Sequence, residues 1–308
     1  MNARDKAIKD GIERDLLKYS QEQGPLIGIS GSNKLSSLSS QFVDSIRRVN
    51  YVRQIGSREI SPGRADPTHD LFDPLKAAEL YRRRGDLDEA CWLVFLSTHF
   101  GKHYPTGWTL MRNIYGALGE TPWRWENAAI DPDILGDWIA VNYGRIRVLP
   151  GQFGNHRKYE SIRPGARSFT GKVIASYVRW VTEYEGHDKL IERALTEGEN
   201  PKGAFRWLYR EMNVARFGRL AKFDFLAMLG KLGLANIEPD STYLVGTKGP
   251  LKGARLLYGG SSSANISPSE LDRKLINLSE FIGVGMQEME DALCNWQKSP
   301  SKYKKFRG

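Results

Sequence analysis

Residues 267–296 read SPSELDRKLINLSEFIGVGMQEMEDALCNW, and they decide the fold class. Ser267 offers an N-cap hydroxyl, Pro268 stands at the first helical position, and Glu270 follows three residues after the cap, a helix-start signature. Leu271, Leu275, Leu278, Ile282, Met286, Met289, Leu293 and Trp296 then recur every three or four residues, so one apolar face runs the whole length. The pattern predicts a single long C-terminal helix closing a core, with a coiled-coil dimer seam as the alternative.

The same period governs the rest of the chain. Ile8, Ile12, Leu16 and Tyr19 predict an opening amphipathic helix, expected to be peripheral. Gly28 to Ser40 holds six serines and two glycines, a linker composition, before a helix with Phe42, Ile46 and Val49. Pro62, Gly63 and Pro67 mark a second loop over Ser61–Asp70. Asp86 with Glu89 reads as a capping box, and Cys91–Leu96 behind it is apolar all round, predicting a central helix. Pro105-Thr106 restarts the chain for a helix burying Trp108, Met111, Ile114, Tyr115 and Leu118. Thr170 is expected to cap a helix with Val173, Ile174, Tyr177 and Val181, and Phe205, Leu208, Tyr209 and Met212 mark another. Period-two alternation is scarce, so the chain is expected to be mainly α: a helical extension with a Ser-rich linker over 1–72, a main helical domain over 73–297, and a disordered basic tail over 298–308 containing Lys298, Lys302, Lys304, Lys305 and Arg307.

With 40% hydrophobic and 26% charged residues in 308, the composition is globular, not fibrous or wholly disordered. The longest strongly apolar run, Cys91–Leu96, is too short to cross a bilayer, and no charged-then-apolar leader follows Met1, so a soluble, cytoplasmic protein without a membrane partner is expected. Cys91 and Cys294 stand far apart, which excludes a disulfide framework and a thiolate metal site.

Forty-five Lys and Arg against 36 Asp and Glu give a net charge of +9, favouring a polyanionic partner. Residues 142–179 carry eight cations, among them Arg145, Arg147, Arg157, Lys158, Arg163 and Arg179, against Glu160 alone. Arg216, Arg219, Lys222, Lys231, Lys248, Lys252 and Arg255 form a second basic region, whereas acids collect at Glu120, Glu126, Asp131, Asp133 and Asp137. One face suits a phosphate backbone; a solvated charged surface is the plain alternative. In 246–255, GTKGPLKGAR, glycines among Lys248, Lys252 and Arg255 allow close backbone approach to an anion, although the segment lacks the Walker A spacing.

Two places carry reactive groups. Residues 154–160, GNHRKYE, bring Asn155, His156, Arg157, Lys158, Tyr159 and Glu160 together after a glycine, where Asn155 can hydrogen-bond a base edge; an Asn-capped turn with surface charges is the alternative. Asp224 lies between Phe223 and Phe225, a costly place for a carboxylate unless it is paired, and Arg219 or Lys222 is the expected partner; a structural Asp–Arg bridge is the leading alternative to a catalytic acid. His99 and His103 share an i, i+4 spacing, but Gly101 intervenes and no third ligand is evident, so no metal and no cofactor is expected.

With these residues in view, the chain resembles the α-glutamyl/putrescinyl-thymine pyrophosphorylase family, its third clade most closely. The likeness is carried by WLVFLSTHFGKH (92–103), GQFGNHRKYESI (151–162), FGRLAKFDFLAMLGKLGL (217–234) and YLVGTKGPLKGARLLYGG (243–260). The resemblance implies a helical fold related to helix-hairpin-helix DNA glycosylases, acting on hypermodified pyrimidines of phage DNA. It implies either excision of the base or displacement of diphosphate from a 5-hydroxymethyluracil derivative by an amine. The chain departs from the glycosylase hairpin, L-x-G-x-G, in having Leu229-Gly230-Lys231-Leu232-Gly233, and no acid follows at the usual distance.

The expected function is therefore an enzyme that binds duplex DNA, flips a modified pyrimidine and excises it, in phage defence. Transfer and non-catalytic reading of modified DNA are the alternatives. Flipping costs a few kcal/mol, offset by stacking, for which Tyr104, Trp108 and Tyr159 lie nearest the distinctive motifs. Asp224 or Glu160 is the expected acid, Asn155 and His156 hold the base, and Arg157, Lys158, Arg216, Arg219, Lys222, Lys248, Lys252 and Arg255 grip phosphate. No obligate protein partner is expected.

Overall fold

The structure is a computed structural model describing residues 1–306; Arg307, at the end of the basic tail, lies outside the described residues. Among those residues the chain is mainly α and no strand forms, only two isolated bridges. In order the helices are α1 Ala3–Glu22, α2 Ser32–Arg53, α3 Pro74–Arg83, α4 Leu87–Phe100, α5 Thr109–Tyr115, α6 Trp125–Ala128, α7 Ile134–Val141 and α8 Tyr143–Ile146. They continue with α9 Thr170–Thr182, α10 His187–Gly198, α11 Pro201–Glu211, α12 Arg219–Lys231, α13 Gly249–Gly259, α14 Pro268–Ile282 and α15 Met286–Trp296. No described helix is long and apolar enough to cross a membrane.

The helices group into two compact units, one made of Met1–Val52 with Pro239–Gly308, the other of Arg53–Glu238. These boundaries differ from the linear division at 72 and 297 because the two ends of the chain pack on each other. In the terminal unit Leu16 of α1, Leu38 and Phe42 of α2, and Leu257, Leu275 and Trp296 share one core. The opening helix is thus a core element and not a peripheral one; Leu16 is fully buried.

Three expectations for this unit are corrected. The Ser-rich segment is helical from Ser32, because Ser39 and Ser40 donate to the carbonyls of Leu35 and Ser36 at 2.9 and 2.8 Å and so satisfy their hydroxyls within the helix. The long C-terminal helix is two: Gly283 takes φ +63°, Val284 N donates back to Ser279 O, and α15 starts afresh at Met286. Finally, the described part of the basic tail is anchored to α2. Ser37 Oγ donates to Ser299 O, Gln41 Nε2 to Lys304 O at 2.9 Å, and Tyr303 OH to Asp44 Oδ2 at 2.6 Å. Those three α2 side chains recur at i, i+4 and i+7, one polar stripe along the helix.

The central unit is built around α4, whose residues Ala90 through Leu96 are wholly buried. Trp92 stacks on Phe95, and Phe95 on Tyr177 of α9 at 3.6 Å between ring centroids. Asp86 caps α4 by accepting from Glu89 N at 3.0 Å. The reciprocal half of the expected capping box is missing, because the Glu89 carboxylate turns inward. It accepts from Tyr115 OH at 2.5 Å and from Trp125 N at 2.6 Å, tying α4 to α5 and α6. Burial pushes this carboxyl up to about 8. Nearby, His187 is held between Asp88 Oδ1 at 2.5 Å and Tyr177 OH at 2.7 Å. The expected cap Thr170 is instead the first residue of α9, and its hydroxyl faces His99.

Candidate active site

α4 ends at Gly101, where φ +64° turns the chain out of the helix. The segment 153–160 crosses over this end. Gly154 N donates to Phe100 O at 2.8 Å, and the backbones approach so closely that a Cβ on Gly154 would lie 2.8 Å from the carbonyl carbon of Gly101. This contact seats Arg157, whose Nε donates to Thr98 O at 2.8 Å, at the helix end where backbone carbonyls favour a cation. Its guanidinium is only 12% exposed and lies 5.8 Å from the Phe217 ring centroid. Burial draws the Arg157 pKa down, against the pull of Asp224 and Glu160.

Arg157 Nη2 lies 3.7 Å from Asp224 Oδ2 on α12. The cation paired with Asp224 comes from the 153–160 segment; of the expected neighbours, Arg219 packs over the Phe223 ring at 4.7 Å and still acts on Asp224 electrostatically, while Lys222 Nζ donates to Tyr209 O. The pair is longer than a hydrogen bond, and the carboxylate keeps 43% of its side chain exposed. Partial withdrawal from water pushes the Asp224 pKa up, while Arg157, Lys231, Arg219 and His156 oppose the rise.

Glu160 is held differently. Arg216 grips it with two hydrogen bonds, Nε to Oε2 at 2.7 Å and Nη2 to Oε1 at 3.0 Å, while its own backbone sits at φ +61°. Below both pairs lies the buried His99, with Nε2 3.2 Å from Thr170 Oγ1. Burial first, then Arg157 and Arg216, push its pKa down to about 3, so the ring is neutral. His103 sits beyond Gly101, bonded to Thr106 Oγ1, and among the described residues no group of three His, Cys, Asp or Glu could hold a metal.

A cleft of about 340 Å³ opens beside Glu160, walled by Tyr143, Arg147, Phe153, Lys158 and Arg163. It offers cations and aromatic faces together. Asn155 and His156 lie in an exposed turn over Asn155–Arg157, and Lys158 stands over the exposed Tyr159 ring at 5.4 Å. Tyr104 is 84% exposed at the tip of a turn closed by paired backbone hydrogen bonds between His103 and Gly107. Trp108 is half-buried, with Lys102 5.9 Å from its ring. Arg157, Arg216, Asp224 and Glu160 are thus brought together. Tyr143 carried no signal in the sequence, whereas Arg147 and Arg163 were named in the basic run over 142–179 but not as site residues.

Lys248, Lys252 and Arg255 belong to the terminal unit. There two of the glycines serve packing: Gly249 and Gly253 face α15, where added Cβ atoms would fall 2.6 Å from Cys294 Sγ and 2.3 Å from Leu293 O, while Gly246 stands open at φ +78°. Arg255 Nε donates to Ile266 O, while Lys248 and Lys252 are exposed.

Residues 92–103, 151–162 and 217–234 therefore converge on one cationic surface with a partly exposed carboxylate. No curated protein and no solved structure matches the chain. The family model described as alpha-glutamyl/putrescinyl thymine pyrophosphorylase clade 3 matches residues 33–308, which take in the whole of this surface, and the chain belongs to that family.

Proposed function

We propose that the protein processes a modified pyrimidine in duplex DNA, taking the flipped base into the cleft beside Glu160 and cleaving its N-glycosidic bond with Asp224 as the acidic participant. The observation that carries this reading is the Asp224–Arg157 pair: a carboxylate raised by desolvation, partly open to solvent, and paired with an arginine of the same segment that gives Phe153, Lys158 and Glu160 to the cationic cleft. Such a group can stabilise an oxocarbenium sugar or take a proton from the attacking water. Glu160, locked by Arg216, holds the loop that carries Arg157. Asn155 and His156 contact the base, and Tyr104, Trp108 and Tyr159 supply stacking surface. Arg157, Lys158, Arg216, Arg219 and Lys222 meet phosphate, and Lys248, Lys252 and Arg255 add contacts from the terminal unit.

A second reading, diphosphate displacement by an amine, is favoured by a separate observation. Arg147, Lys158 and Arg163 line the cleft, and three cations on one wall suit a diphosphate leaving group. The family's name, a pyrophosphorylase of modified thymine, fits this reading at least as well. The experiment is to incubate the protein with phage DNA carrying hydroxymethylated or glucosylated pyrimidines, and with DNA carrying a diphosphate-activated base plus amines. Free modified base and alkali-labile sites support excision. Intact DNA with a base of altered mass overturns it in favour of transfer, and binding with neither product leaves a reader of modified DNA.

A further inference from the structure

A second cleft of about 350 Å³ in the central unit has the opposite character. Trp123 and Trp138 form two of its walls, their ring centroids 6.0 Å apart and their planes inclined by 64°, and Pro122, Ile130, Glu120 and Asn127 line the rest. The Trp123 wall is anchored from behind. Its backbone N–H donates to Tyr115 O at 2.7 Å, and its backbone carbonyl accepts from the buried Trp92 Nε1 at 2.8 Å. The Trp123 backbone is thus fixed without a ligand, and the two indoles pack edge to face on each other, which preforms the cleft.

Glu120 is the one charged residue of its lining, and the segment around it is acidic. Residues 120–139, which build most of the cleft, carry Glu120, Glu126, Asp131, Asp133 and Asp137 against Arg124 alone, in a chain whose net charge is +9. Arg124 is drawn away over the Tyr81 ring, Asp133 pairs with Arg179, and Arg145 reaches Glu120 only at 3.8 Å with both side chains more than half exposed. A phosphate backbone is repelled by such a surface. Two electron-rich indole faces set at an angle, with a carboxylate at the edge, present the chemistry that holds an organic cation.

We infer that this cleft binds a compact organic ammonium or guanidinium cation, its charge against the Trp123 and Trp138 faces and its hydrogen-bond donors on Glu120. None of these residues lines the cationic cleft, so the inference stands apart from the excision reading, and the amine of the transfer reading is one cation of this class. The test uses the 308-residue chain, with tetramethylammonium and ethylguanidinium as probes and tert-butyl alcohol as the neutral isostere of the first, followed by saturation-transfer NMR and calorimetry. The cations are expected to bind about tenfold more tightly than the neutral isostere, Trp138→Leu to weaken them by about tenfold, and Glu120→Gln to weaken ethylguanidinium severalfold. Equal binding of the neutral isostere overturns the inference. So does wild-type affinity in both variants, and since Glu120 is surface-exposed, its variant remains informative if Trp138→Leu misfolds. A free amine and a partner protein's side chain share this chemistry: a lysine-rich peptide binding like its isolated ammonium identifies the free cation, and one binding a hundredfold tighter identifies a partner.

Discussion

Replacing Glu89 by Gln should change how stability depends on pH. In the folded chain Glu89 keeps its proton until about pH 8, whereas in the unfolded chain it ionises near the ordinary 4.5. Between those values the folded state binds more protons, so raising the pH removes stability, by about 1.4 kcal/mol per pH unit where the difference is complete. The loss begins above the unfolded value and levels off above about 8, reaching a few kcal/mol in all. Glutamine keeps an oxygen for Trp125 N and places its amide against the Tyr115 oxygen, so the three helices remain tied while the titration disappears. Urea unfolding of both proteins at several pH values from about 5.5 to 8.5 isolates the effect, since all other titrating groups cancel in the difference. The variant should gain on the wild type by several kcal/mol across that range. Parallel curves would mean that Glu89 is already ionised in the folded state, and the reasoning from burial would fail.

Asp224→Asn should abolish turnover and leave DNA affinity within about twofold; undiminished turnover removes Asp224 from the mechanism. Gly154→Ala forces a methyl onto the backbone of Gly101, which should cost about 1–3 kcal/mol in urea unfolding and lower activity further by displacing Arg157. Wild-type behaviour in both assays would show that the loop does not need this approach. Lys252→Ala should weaken DNA binding and flatten its salt dependence, and an unaltered slope means that Lys252 touches no phosphate. Tyr303→Phe removes the hydroxyl bound to Asp44 and should cost about 1 kcal/mol, visible as a lower urea midpoint.

The helical class and the centrality of α4 were legible because both are local properties: a three-four period, and an apolar run with no polar face. The break at Gly283 was not, because Ile282 and Met286 remain four apart and the core face continues through the interruption. The serines of α2 misled for a related reason, since their preference for loops is overridden once their hydroxyls bond inside a helix that tertiary packing holds. At the site, the reactive character of 154–160 and the cost of burying Asp224 were both visible. Their union was not. Arg157 reaches Asp224 only because Gly101 and Gly154 let two distant segments touch, a contact with no trace in spacing. The packing of tail on α2 is hidden in the same way, as pairings between chain ends leave no periodic signal.

That the terminal unit is assembled from both ends of the chain has a consequence for biosynthesis. Once α1 and α2 leave the ribosome, the helices that complete their core, α13 to α15, are still to be translated, and the entire central unit comes first. At about 5–20 residues per second that interval is on the order of 10–40 s. During it the faces of Leu16, Leu38 and Phe42 lack their permanent cover, while residues 53–238 have every partner they need to fold. A nascent chain stalled once residue 238 has cleared the ribosome should therefore hold a protease-resistant central unit and two cleavable N-terminal helices, a window in which a chaperone has something to grip.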